Sequence, residues 1–184
     1  MGKIAEARES YEATIEDAIK DIVYAGSAMY ESGTDGINLD TVRAAGDADF
    51  LASLKAAQKL KEKYPEMCIE LGMAGEFVLG MHGELTYDGV RLAGLYPHEQ
   101  VKLAEKAGVT IFGLVCNTNT TQSSPWNLSR AIAFMKACGE AASIPVHVNM
   151  GMGVGGVPVH DHPPIDIVSR GSKAMVEICR LDGL

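Results

Sequence analysis

Glu70 and Glu76 bracket the end of an apolar run, Met67 to Leu71, and the glycine-rich stretch that follows it. A carboxylate at such a position acts as a general acid or base if burial raises its hold on a proton. The alternative for either residue is a turn acid that accepts bonds from backbone amides. Asp40 closes another short apolar run in the same way. His147 and Asn149 alternate within Pro145–Met150, whose other residues are mostly apolar. In a barrel, alternate strand residues point inward, so both are candidates to meet a polar substrate. A hydrogen-bonded core histidine is the plain alternative for His147. Asn117 and Asn119 lie in Cys116–Thr121, directly after a buried strand, where their amides could orient a substrate or bond to the local backbone. His82 lies in the Gly72–Gly94 stretch, and a long loop of this kind often carries a site.

Other motifs carry less. Residues 151–156, Gly-Met-Gly-Val-Gly-Gly, have the spacing of a dinucleotide-binding turn. Val157 to Pro164 then separate the glycines from the next helix, whereas that turn opens directly into a helix. A close-packed strand-end loop is the better reading. His160 and His162 could donate two metal ligands, but a site needs three or four, so no metal is expected. A metal-dependent barrel hydrolase built on these two histidines is the alternative enzyme class. Neither a nucleophile elbow nor a phosphate-binding loop sequence is present.

These candidates must be held by regular elements, and the pattern of those is legible. Tyr11, Ile15, Ile19 and Ile22 recur at helical spacing up to a stop at Ser32-Gly33. A strand is expected over 37–41. A helix over 49–63 follows, in which Leu51, Leu54, Gln58 and Leu60 alternate with lysines, and Pro65 closes it. Met67–Leu71 reads as a strand and Gly72–Gly94 as a loop. Pro97 opens a helix, and Val109–Cys116 is a strand. Ser124-Pro125 starts a helix to Ala142, Pro145–Met150 is a strand, and Pro163-Pro164 opens a helix to Cys179. In that last helix Ile165, Val168, Met175 and Ile178 form the apolar stripe. Near-continuous apolar strands that alternate with helices predict a parallel α/β fold with both sheet faces buried, either a barrel or a doubly wound sheet. Asp182-Gly183-Leu184 repeats the look of Asp35-Gly36-Ile37, so the chain is expected to end at the start of a further strand.

Of the 184 residues, 47% are hydrophobic and 22% charged, as in an ordinary globular domain. The formal charge of -8 disfavours a phosphate backbone as partner. No apolar run reaches the length of a membrane helix. The acid-rich start is unlike a secretory signal. The four cysteines, Cys68, Cys116, Cys138 and Cys179, form no CxxC pair, which suits a reducing cytoplasm. Oligomeric state stays open, with a homo-oligomer among the options.

Several long runs resemble the dimethylamine methyltransferases. They are residues 72–100, 112–137, 146–158 and 163–184, and 32–50 fits as well. The resemblance implies a (β/α)8 barrel of which residues 1–184 are a single incomplete domain with about four complete βα units. It implies transfer of a methyl group from dimethylamine to the cobalt of a cognate corrinoid protein, with no cofactor bound directly by this chain. It also implies pyrrolysine directly after a stretch that matches Leu181-Asp182-Gly183-Leu184. Nothing follows Leu184 here, and the expectation is an amber codon read as a stop. Without pyrrolysine and further strands, the chain alone is expected to be inactive, and a non-catalytic gene remnant is the non-enzymatic reading. A neighbouring acid should assist amine capture by the pyrrolysine imine, and Glu70 or Glu76 is placed to supply it.

Overall fold

The computed structural model describes residues 3–40, 46–74, 78, 82–115, 124–148 and 165–184. Helix α1 (Ile4–Glu31) leads into strand β1 (Gly36–Asp40), then α2 (Asp47–Lys63) and β2 (Cys68–Ala74). A small hairpin of β3 (Thr86–Tyr87) and β4 (Val90–Arg91) precedes α3 (Pro97–Lys106) and β5 (Ile111–Val115). The remaining elements are α4 (Ser124–Ala141), β6 (Val146–Val148) and α5 (Ile165–Glu177). The four longer-range strands form one parallel sheet in the order β1-β2-β5-β6.

That order decides between the two architectures left open by the sequence. Spatial order follows chain order, with helical crossovers and no reversal, as in a barrel wall. A doubly wound sheet would reverse at a switch point. The two faces differ in what they carry. Ile69, Leu71, Phe112, Leu114, Val146 and Val148 are buried and join the core that the helices cover. The opposite face carries Asn38, Asp40, Glu70, Gly72, Gly113 and His147, the alternate residues of the same strands. Both faces were expected to be buried, and on the inner side Asn38 and Asp40 are exposed while Glu70 and His147 are only partly covered. One face is apolar and helix-covered, and the other mixes these polar residues and glycines with Cys68 and Ile111.

Local chemistry accounts for the element ends. Helix α2 carries Asp47 and Asp49 in its first turn and Lys61 and Lys63 in its last, each favourable to the helix dipole. Leu51, Leu54 and Leu60 are buried, whereas Gln58 faces solvent. Pro97 sits in the first turn of α3, and the carboxylate of Glu99 accepts the Tyr96 backbone N–H at 3.0 Å. In α1, Ile15 and Ile19 are buried while Tyr11 is exposed. In α5, Met175 is buried but Ile165 is exposed, and Ile178, just past the helix end, is exposed too, so the stripe expected there is only partly a core stripe.

Two features refine the expected elements. Strand β2 runs on to Ala74, beyond the expected end at Leu71. The stretch expected as loop contains the β3–β4 hairpin, turned at Asp88 (φ 50°) and Gly89 (φ 75°). Two successive left-handed residues suit a tight hairpin between twisted strands, and an Asp-Gly pair is their usual signature.

Candidate active site

The inner wall is positioned by strand register. Asp40 lies opposite Gly72, Gly72 opposite Gly113, and Gly113 opposite His147. Asn38 and Glu70 pair one step earlier along β1 and β2. Thr110 pins the junction of β2 and β5. Its hydroxyl accepts the Ile69 N–H at 2.8 Å and donates to the Ile69 carbonyl at 3.0 Å. A slip of one residue would turn Glu70 into the helix-covered core, so this register decides which face Glu70 is on.

Glu70 Oε1 and His147 Nε2 are in direct hydrogen-bond contact, although they lie on strands separated by β5. The contact crosses Gly113. An added Cβ there would stand 2.8 Å from Glu70 Oε1 and 3.1 Å from His147 Nε2. The pair is accessible, with 24% of the Glu70 side chain and 34% of the His147 side chain exposed. A carboxylate that orients an imidazole can hold a proton and pass it to a ligand.

Asp40 and Asn38 share this face and also line a cleft of about 300 Å³ with Ala18, Ile22, Asp49 and Ser53. A carboxylate beside an amide oxygen suits an ammonium group, which offers only donors. Asn38 was not singled out from sequence, although its alternation with Asp40 was the available signal. Gly113 was also missed. A glycine within the apolar run Phe112-Gly113-Leu114 signals close approach of another group.

His82 is placed elsewhere. It lines a cleft of about 610 Å³ with Arg8, Tyr11, Asp47 and Glu84. There Arg8 pairs with Glu84 at 3.5 Å, and the Tyr11 hydroxyl donates to Asp47 at 3.3 Å. Burial, then the Asp47 charge, pushes the Tyr11 hydroxyl above its ordinary proton affinity. Glu76, Asn117, Asn119 and Asn149 lie outside the described residues, as do the glycines of 151–156, His160 and His162. Among the described residues, no group of three or more His, Cys, Asp or Glu side chains is arranged to hold a metal ion.

Residues 182–183 extend the wall beyond β6. The Asp182 carboxylate accepts the Val146 N–H at 2.9 Å, and the Asp182 N–H donates to the Val146 carbonyl at 2.9 Å. Gly183 forms a parallel bridge with His147. A Cβ on Gly183 would come within 3.1 Å of the His147 Cβ, so both residues face the inner side.

A barrel wall with a glutamate–histidine contact on its inner side is compatible with many chemistries. Comparison with protein families narrows it: the model for dimethylamine methyltransferase (Dimeth_PyL) matches residues 1–184. The chain belongs to that family. No solved structure matches it. Among the described residues, no helix is long and apolar enough to cross a membrane.

Proposed function

We propose that residues 1–184 form part of a barrel domain that moves one methyl group from dimethylamine to the cobalt of a cognate corrinoid protein. The observation that carries this reading is the Glu70–His147 pair on the inner wall of a chain in this family. In the net reaction the cobalt, as Co(I), supplies two electrons for the new Co–C bond. The C–N bonding pair stays on nitrogen, which leaves as neutral methylamine if the nitrogen enters as ammonium. Proton control at that nitrogen is therefore the task of the site.

Asn38 and Asp40 offer acceptors to the substrate ammonium. Glu70 and His147 hold the proton that the amine gains or loses while it is positioned. The family resemblance implies pyrrolysine immediately after Leu184, where it supplies an electrophilic imine carbon for amine capture. The inner wall suits that group. Gly183 faces inward, and strand alternation would bring a residue joined after Leu184 back to the same face as His147. A cytoplasmic setting accords with the cysteine usage.

The test supplies methyl-labelled dimethylamine and the reduced corrinoid protein to enzyme made from the whole reading frame. Formation of methylcobalt absorbance together with labelled methylamine supports the reading. Absence of both, with corrinoid shown to be Co(I), refutes it.

A further inference from the structure

We propose that Gly113 is a positioning residue, the gap in β5 through which Glu70 on β2 reaches His147 on β6. The inference deepens the proposed site and rests on it for its catalytic meaning, but the geometric claim stands on the sheet itself.

Register alone would keep the two residues apart. His147 pairs with Gly113, Gly113 pairs with Gly72, and Glu70 lies two residues before Gly72 on the same face. Adjacent parallel strands are about 4.8 Å apart, so the side chains must bridge about two strand spacings. An extended glutamate and an imidazole reach that far by passing directly over the intervening position of β5, where Gly113 carries no side chain. At position 113 a Cβ would lie 2.8 Å from Glu70 Oε1, 3.1 Å from His147 Nε2 and 3.3 Å from Gly72 Cα. The first distance is closer than real Cβ atoms approach, and the second is tighter than most. The obstruction falls on the very two atoms that meet. No positive φ accounts for the glycine, because Gly113 is absent from the left-handed positions of the described chain. Its hydrogen side chain leaves the room in which the two side chains meet, and an added Cβ would push their ends off that contact.

Gly72 is the natural control. It occupies the adjacent inner-wall position on β2, yet a Cβ there would meet its nearest neighbours, Asn38 Oδ1 and Asp40 Oδ1, at an ordinary 3.5 Å. The same substitution one strand away should leave the pair intact.

The direct measurement is the imidazole N–H resonance of His147 in the full chain, followed by NMR. A hydrogen-bonded imidazole proton is shifted downfield and protected from exchange. The signal should be present in the parent chain, absent in Glu70→Ala, absent in Gly113→Ala and retained in Gly72→Ala. A resonance that persists in Gly113→Ala overturns the inference, and so does its absence from the parent chain. If Gly113→Ala does not fold, the double variant Gly113→Ala/Glu70→Ala decides, because removing the Glu70 carboxylate removes the main obstruction. Recovery of cooperative unfolding in the double variant supports the inference. Failure to recover means that Gly113 serves backbone packing instead. Neither readout needs methyl transfer, so a failed activity assay would leave this result standing, and loss of the positioning claim would leave the proposed reaction to be judged by its own assay.

Discussion

Glu70 and His147 meet across an intervening strand, on residues 77 apart in the chain, with Gly113 beneath their contact. The pair joins the third position of β2 to the middle of β6 and so ties most of the inner wall into one polar unit. Such a unit should respond to substitution as a unit.

In catalytically competent enzyme, Glu70→Gln and His147→Gln should each lower kcat for methyl transfer by about 10²–10⁴-fold, the usual scale of general acid–base catalysis. The double variant should lose little more than the worse single variant, because either change breaks the same unit. Kinetics of the three variants check this. Effects that multiply would show that the residues act separately.

Asp182 should matter for stability. Its carboxylate accepts the Val146 N–H, and its own N–H donates to the Val146 carbonyl. Asp182→Ala leaves a partly buried N–H without that acceptor, at a cost of about 1–3 kcal/mol. Urea unfolding should show a lower midpoint with an unchanged slope. An unchanged midpoint would mean that residues 182–183 are not held against β6 in solution.

Gly108 has φ 86°, and a Cβ there would stand 2.9 Å from Lys61 Cγ. Lys61 is itself engaged, donating to the Met67 carbonyl at 3.0 Å just before β2. Gly108→Ala should destabilise by about 1–2 kcal/mol through the left-handed backbone alone. Gly89→Ala shares the positive φ but meets nothing within 4 Å, so it should cost less. Paired denaturation curves test the ranking.

Cysteine reactivity should follow burial. Cys68 is exposed, whereas Cys138 and Cys179 are buried. Burial, with a smaller contribution from Glu105, pushes the Cys138 thiol from 9.0 up to about 12. At pH 8 an alkylating reagent should label Cys68 quickly and Cys138 only after unfolding, as mass spectrometry would read. The same shift sets a pH dependence. The folded thiol keeps its proton longer than the unfolded one, so its stabilising contribution is full below about pH 9 and is lost as pH rises toward about 12. Cys138→Ala should flatten that part of the stability profile. An unchanged alkaline slope would assign it to other groups, such as Tyr11 and Tyr87, whose hydroxyls burial also holds protonated.

Much of the fold was legible because its signals are local. Helical spacing of Ile15 and Ile19, a stop at Ser32-Gly33, Pro97 in a first turn and continuous apolar runs each act within a few residues. Glu70, His147 and Asp40 could be named one by one, because a polar residue in an apolar strand is conspicuous wherever that strand lies. The Asp88-Gly89 hairpin was equally local, and its signal was passed over within a glycine-rich stretch.

What the chain could not disclose residue by residue is which of those polar groups meet. Whether both sheet faces are buried depends on where the helices pack. Whether Glu70 reaches His147 depends on the register of β2, β5 and β6 together, and on a missing side chain at position 113. His82, as plausible in sequence as His147, lines another cleft beside α1. Strand periodicity assigns a face to each residue, but the hydrogen bonds between strands that are far apart in sequence set its neighbours, and those exist only once the sheet has formed.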